Sequence, residues 1–201
     1  AISGDSGIAS IFNQHVTDNI KVSNNSWGFG SSITSKTESA LRSSLPNTIT
    51  ALRAAQNNGT LFVFAAGNDT NSEVDYAGGL PYRISELANE WLVVGAVSTS
   101  GVEASFNNRC GVAKDFCVVA PGVSIYAAQA NGTYTSLNGT SMAAPHVAGL
   151  AAALMEKFPS LTTAQIATRI TSGASHAGLT GRGGETTGNR TTAQLQAIFG
   201  H

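Results

Sequence analysis

Gly139-Thr140-Ser141-Met142-Ala143-Ala144-Pro145-His146-Val147-Ala148-Gly149 is the stretch whose reading decides the fold. A Gly-Thr turn delivers a serine to the start of a helix. Apolar residues then recur at helical spacing at Val147, Leu150, Ala151, Leu154, Met155 and Phe158. The opposite positions are Ala and Gly as well, so this helix is expected to be buried nearly all round, with Pro159 ending it. A serine at such a mouth can turn its hydroxyl to solvent, beside first-turn N–H groups able to stabilise an oxyanion. The plainer alternative is a simple N-cap serine. That alternative does not explain an all-small apolar helix with Pro and His in its first turn.

Outward from that helix, strand and helix periodicities alternate. Residues 4–18 read as a helix, with Ile8, Ile11, Phe12 and His15 at helical spacing. Residues 20–23 read as a short strand, and 24–37 as turn-rich. Residues 46–58 form a helix with Pro46 in its first turn and Asn57-Asn58-Gly59 as its stop. The apolar runs 61–66 and 91–97 are too short for helices and read as strands, with further strand-like pieces at 118–119, 124–128 and around Tyr134. Thr162 and Gln165 make a capping box for a last helix that ends at Gly173, and 176–190 reads as an exposed loop. Short strands that are apolar on both faces, separated by helices, imply an α/β fold whose parallel sheet is covered on both sides. No repeat or linker is visible, so residues 1–201 read as a single domain.

Composition narrows the function classes. Of 201 residues 42% are apolar and only 11% charged, a balance tilted toward Ser, Thr, Asn, Ala and Gly that we associate with secreted proteins. Eleven Lys+Arg against twelve Asp+Glu, with the basic residues scattered, give no stripe for a polyanion and exclude nucleic acid as a partner. The weakly polar run 142–155 is too short to cross a bilayer, so membrane insertion by this segment is not expected. Ala1-Ile2-Ser3-Gly4-Asp5 lacks the basic-then-apolar start of a signal peptide, and the chain is expected to begin in mid-protein. Cys110 and Cys117 have no second pair to hold a metal. A short-loop disulfide is the favoured reading and two buried thiols the alternative.

The 139–149 segment resembles the nucleophile motif of the subtilisin-like serine proteases, or subtilases, almost letter for letter. Two further segments match the family in order. Phe64-Ala65-Ala66-Gly67-Asn68 ends a strand where subtilases carry an oxyanion-binding Asn, and Asn25-Ser26-Trp27-Gly28 resembles the segment that pairs with substrate. The resemblance covers residues 1–175. It implies a subtilisin-like three-layer sandwich with a mostly parallel central sheet, and a serine endopeptidase acting on polypeptides. Ser141 would be the nucleophile, with Asn68 the oxyanion donor. Ser26, Trp27, Gly28, Ala65, Ala66 and Gly67 would line the substrate groove. Asp69 would lie near the base of the S1 pocket, favouring Lys or Arg at P1 unless it turns to solvent. No cofactor is required. Some subtilases bind structural calcium, and no acidic loop here commits to it. The segments around Cys110 and Cys117 are similar to the subtilase passenger domains of Gram-negative autotransporters, which implies a secreted or bacterial cell-surface location.

The departures are equally informative. A subtilase triad runs Asp, His, Ser along the chain. Neither a catalytic Asp-Thr/Ser-Gly strand end nor a His-Gly-Thr helix start occurs in this sequence; Asp5-Ser6-Gly7 imitates the former without the latter. The chain therefore reads as the C-terminal portion of a subtilase catalytic domain, lacking the N-terminal strands and the His-bearing helix. A missing N-terminal portion would supply Asp and His. The alternative is an inactive fragment or pseudo-protease that only binds peptides in the retained groove. An α/β-hydrolase esterase is disfavoured, because Gly139-Thr140-Ser141-Met142-Ala143 lacks the second Gly of that family's elbow.

Overall fold

Phe62, Phe64, Trp91 and Val93 pack to one side of a sheet, while Leu61, Val63, Leu92 and Val94 pack to the other. That alternation is the period of a strand whose two faces are both buried. The computed structural model describes residues 4–201. Strands β1 (Val22–Asn25), β2 (Leu61–Ala65), β3 (Trp91–Val97) and β4 (Cys117–Pro121) lie side by side in chain order, all parallel. Helices α1 (Gly4–Thr17) and α3 (Pro46–Asn57) cover the first face, where Phe12 and Leu52 join the aromatic cluster. Helices α5 (Thr140–Lys157) and α6 (Thr163–Gly173) cover the second. A separate antiparallel hairpin, β5 (Ile125–Ala128) with β6 (Tyr134–Leu137), leads into α5. The three-layer α/β architecture is the expected one.

Details differ from expectation for identifiable reasons. Strand β1 starts two residues later than 20–23, because Val22 pairs with Leu61 and the register carries Asn24 and Asn25 into the ladder. Pairing outweighs their poor strand propensity. Helices α2 (Glu38–Ser44), α4 (Tyr76–Arg83) and α7 (Thr192–Phe199) were not expected, although Thr37, Asp75 and Thr191 each cap one with a side-chain oxygen. All three helices are short, and Pro81 interrupts the pattern of α4.

The expectation that α5 is buried nearly all round is wrong. Ala143, Ala144, Val147, Ala148 and Ala151 face the sheet, but Leu150 is 49% exposed and Ala152 and Ala153 are exposed too. Small residues let one face of α5 approach the strands closely. Helix α6 packs against α5 without covering that outer face. The 176–190 stretch is largely exposed but tied down. Buried Glu103 accepts hydrogen bonds from the Arg109 guanidinium and from the Arg182 backbone N–H. Cys110 and Cys117 form a disulfide across Cα atoms 5.9 Å apart, which settles the choice against two free thiols.

Asp5 has a structural task. Helix α3 begins at Pro46 with no side-chain cap of its own. The Asp5 carboxylate, from the start of α1, accepts the Asn47 and Thr48 backbone N–H groups at 2.9 and 2.8 Å. It thereby caps α3 from another element. Burial alone would raise its pKa, but the hydrogen bonds from Thr48 and Asn47 outweigh that and hold it below the ordinary carboxylate value. A depressed folded-state pKa means the contribution is complete above the unfolded value and is lost as pH falls through the folded one. Asp5→Ala is expected to lower stability by about 1 kcal/mol at neutral pH, as for other cap deletions. The difference from wild type should shrink in acid, and denaturation curves of both proteins against pH measure it.

Candidate active site

Ser26 follows β1 directly, and Asn68 lies three residues beyond β2, so both stand at the carboxyl end of the parallel sheet. Ligands of open α/β sheets bind at that end. The first turn of α5 arrives at the same place. Its arrival is fixed by hydrogen bonds between residues far apart in sequence. The Ser141 hydroxyl donates to the Ser26 carbonyl at 3.2 Å, and the Ser26 hydroxyl donates back to the Ser141 carbonyl at 2.9 Å. The end of β1 is thus clamped to the mouth of α5.

A second junction ties that mouth to the loop after β2. Thr140, fully buried, accepts the Gly67 N–H on its hydroxyl and donates that hydroxyl to Asn68 Oδ1 at 2.9 Å. The Thr140 backbone N–H donates to the same oxygen, also at 2.9 Å. Two donors on one oxygen assign the amide orientation. Asn68 Oδ1 faces Thr140, and Nδ2 lies beside Gly139. The Ser141 N–H belongs to the first turn, where helical N–H groups have no intrahelical acceptor. The Asn68 Nδ2 and Ser141 N–H nitrogens both lie close to Gly139, at the helix mouth that carries the serine hydroxyl.

The segments expected to line the substrate groove offer mostly backbone. Ala65 and Ala66 bury their methyl groups. Gly67 adopts φ +106°, a conformation other residues rarely take. In the segment after β1 Trp27, 37% exposed, packs edge-on against Phe64 and Phe29, with ring centroids 5.6 and 5.5 Å apart. That segment is held by the buried carboxylate of Asp75, which accepts the Phe29, Gly30 and Ser31 N–H groups. A Cβ at Gly28 would collide with Asp75, so glycine is required for the close approach. Asp69 is exposed, and its carboxylate lies 3.4 Å from Asn108 Nδ2.

None of the four histidines bonds to Ser141 among the described residues. His15 lies between the Ile11 carbonyl and the Ser23 hydroxyl, and His146 meets the Met142 carbonyl at 2.9 Å. His176 bonds the Gly200 carbonyl, and the nearest carboxylate to His201 is Asp115 at 3.9 Å.

This arrangement has relatives. Residues 3–201 match the model of the subtilase family. The chain belongs to that family. It is 40% identical over 137 residues to subtilisin DY of Bacillus licheniformis, a match covering 66% of this chain and 47% of that protein. An extracellular serine protease of Serratia marcescens is 35% identical over 155 residues, covering 66% of this chain and 15% of that protein. The chain spans half or less of the curated relatives it matches. Among solved structures, a cold-adapted subtilisin-like serine proteinase superposes with TM-score 0.67 at 29% identity, covering 90% of this chain and 59% of that one. The prenylagaramide maturation protease PagA reaches 0.75 at 22% identity, covering 100% of this chain and 66% of that one, and shows the fold alone.

The structure brings Ser141, Asn68, Ser26 and Gly67 of this subtilase together. Thr140 stood inside the quoted motif yet went unread as a site residue; a hydroxyl flanked by Gly and Ser at a helix start was its available signal. A donor acting on charge that develops during reaction affects turnover more than binding. In the full-length protein Asn68→Ala is expected to lower kcat for a peptide substrate by about 10²–10³, the loss seen when such a donor is removed from a subtilisin. KM should change little; steady-state kinetics on both proteins read the split.

Proposed function

We propose that this chain forms the nucleophile and oxyanion part of a secreted serine endopeptidase. The observation that carries the reading is that Thr140 binds Asn68 by its oxygen, which leaves Asn68 Nδ2 and the Ser141 N–H together beside Gly139 at the mouth of the helix that carries the Ser141 hydroxyl. Ser141 Oγ attacks the scissile peptide carbonyl, and a histidine held by an aspartate takes its proton. The carbonyl oxygen, now negative, accepts hydrogen bonds from Asn68 and the Ser141 backbone. The leaving amine departs with the proton from the histidine, and water hydrolyses the acyl-enzyme by the same route in reverse roles. To reach its base, the Ser141 hydroxyl must rotate off the Ser26 carbonyl, which is then free for the substrate backbone. Acyl transfer of this kind needs neither a metal nor an organic cofactor.

The Asp and His are assigned to residues N-terminal to this chain. In support, His15, His146 and His176 are hydrogen-bonded elsewhere, and the relatives are longer than the match. Ser26, Trp27, Gly28, Ala65, Ala66, Gly67 and Asp69 are assigned to the groove that receives a polypeptide. Secretion is supported by the extracellular protease of Serratia among the relatives, by the disulfide, and by the likeness of the Cys110–Cys117 segment to exported autotransporter subtilases. No helix among the described residues is long and apolar enough to cross a membrane.

In the full-length protein a fluorophosphonate is expected to label Ser141, and Ser141→Ala to abolish both labelling and peptide turnover. Labelling that persists undiminished in the variant would place the nucleophile elsewhere. Peptide binding without labelling or turnover in the wild type would leave the groove as a binding site only.

A further inference from the structure

Asn108 is fully buried, lies 40 residues along the chain from Asn68, and carries no motif that announces a task. A neutral amide has two acceptor sites on its oxygen and two N–H donors. In Asn108 all four are spent on one short loop. Its Oδ1 accepts the Asp69 N–H at 2.9 Å and the Asn71 N–H at 3.0 Å. Its Nδ2 donates to the Ala66 carbonyl at 3.2 Å and reaches the Asp69 carboxylate at 3.4 Å. The Asn108 backbone N–H donates to the Gly67 carbonyl at 3.0 Å. Residues 66–71 are therefore wrapped around one side chain, with Asn68 at the apex.

The space is matched as closely as the hydrogen bonds. A Cβ at Gly67 would collide with Asn108 Nδ2, so Gly67 and Asn108 interlock. Asn108 is itself fixed from behind: the Arg182 guanidinium donates to the carbonyls of the neighbouring Asn107 and of Thr70. Thr140 holds the Asn68 side chain by its oxygen and touches the backbone only before it, at the Gly67 N–H, whereas the contacts of Asn108 lie on both sides of Asn68, at Ala66 and Gly67 and at Asp69 and Asn71.

We propose that Asn108 is a positioning residue for the oxyanion donor: its side chain sets the backbone of residues 66–71 and thereby aims the Asn68 amide. This rests on the reading of Asn68 as an oxyanion donor. An Asn68 amide displaced by a fraction of an ångström still binds Thr140 but meets the developing oxyanion badly, so the cost falls on turnover.

The test is a double-mutant cycle in the full-length protein, reading kcat and KM for an amide substrate in wild type, Asn108→Ala, Asn68→Ala and the double variant. Asn108→Ser runs in parallel, because its hydroxyl keeps one acceptor for the loop and guards against a variant that fails to fold. Asn108→Ala is expected to lower kcat about 10-fold with KM within about 2-fold, and Asn108→Ser to lose less. In the Asn68→Ala background the same changes are expected to cost under about 2-fold, since no amide remains to aim. An equal loss in both backgrounds would overturn the proposal and make Asn108 a support of the fold alone. Unchanged kcat in both Asn108 variants, with Asn68→Ala impaired, would overturn it while leaving the oxyanion reading intact. Unchanged kcat in Asn68→Ala would remove both.

Discussion

The junction between Thr140 and the Gly67-Asn68 turn is the constraint on which the rest of this structure depends. A parallel sheet delivers its strand ends to one edge, but a strand end alone does not place a side chain to a fraction of an ångström. Here the first turn of α5 does so, by holding Asn68 Oδ1 with two donors and Gly67 with one acceptor. The same turn is clamped to the end of β1 through Ser26. Helix, β1 and β2 are thus joined at one point. The small residues Ala143, Ala144 and Ala151 serve that junction, because only a closely packed helix can bring its mouth so near the strand ends.

Polar groups are expensive to bury unless their capacities are met, and this site meets them. Among the described residues Asp75 has no ion-pair partner, yet it accepts backbone N–H groups from Phe29, Gly30, Ser31 and Ala77. Asn108 does the corresponding work for the segment after β2. Both segments are thereby backbone held by buried polar side chains, Asp75 on one and Asn108 with Thr140 on the other. A site built this way has little to rearrange when charge develops in it, which is the condition for electrostatic stabilisation of a transition state.

Much of this was legible in the sequence, and the rest was hidden for physical reasons. Strands β2 and β3 could be read because burial on both faces leaves an unbroken apolar run, as in Leu61-Phe62-Val63-Phe64-Ala65. Helix α5 and its serine could be read from the family motif. The limits of β1 could not, because Asn24 and Asn25 are extended only through pairing with β2. The exposed outer side of α5 could not be read either, since Ala and Leu look the same to a periodicity argument whether covered or not. Helix α7 carries the same Thr-x-x-Gln capping box that revealed α6, and its Leu195, Ile198 and Phe199 are buried; only its brevity and its Gly- and Thr-rich approach concealed it. Asn108 was invisible in principle, for its partners are about 40 residues away and nothing local distinguishes it from any other loop Asn.

The central claim is that the corner formed by Ser141 and Asn68 receives a tetrahedral oxyanion. The most direct measurement is a crystal structure of the full-length protein reacted with a peptide aldehyde, which adds to a nucleophilic serine to give a tetrahedral adduct. The account predicts a covalent bond from Ser141 Oγ, with the adduct oxygen about 2.7–3.1 Å from both Asn68 Nδ2 and the Ser141 N–H nitrogen. An adduct on Ser141 whose oxygen points away from Asn68, or an aldehyde bound to another residue, would contradict it.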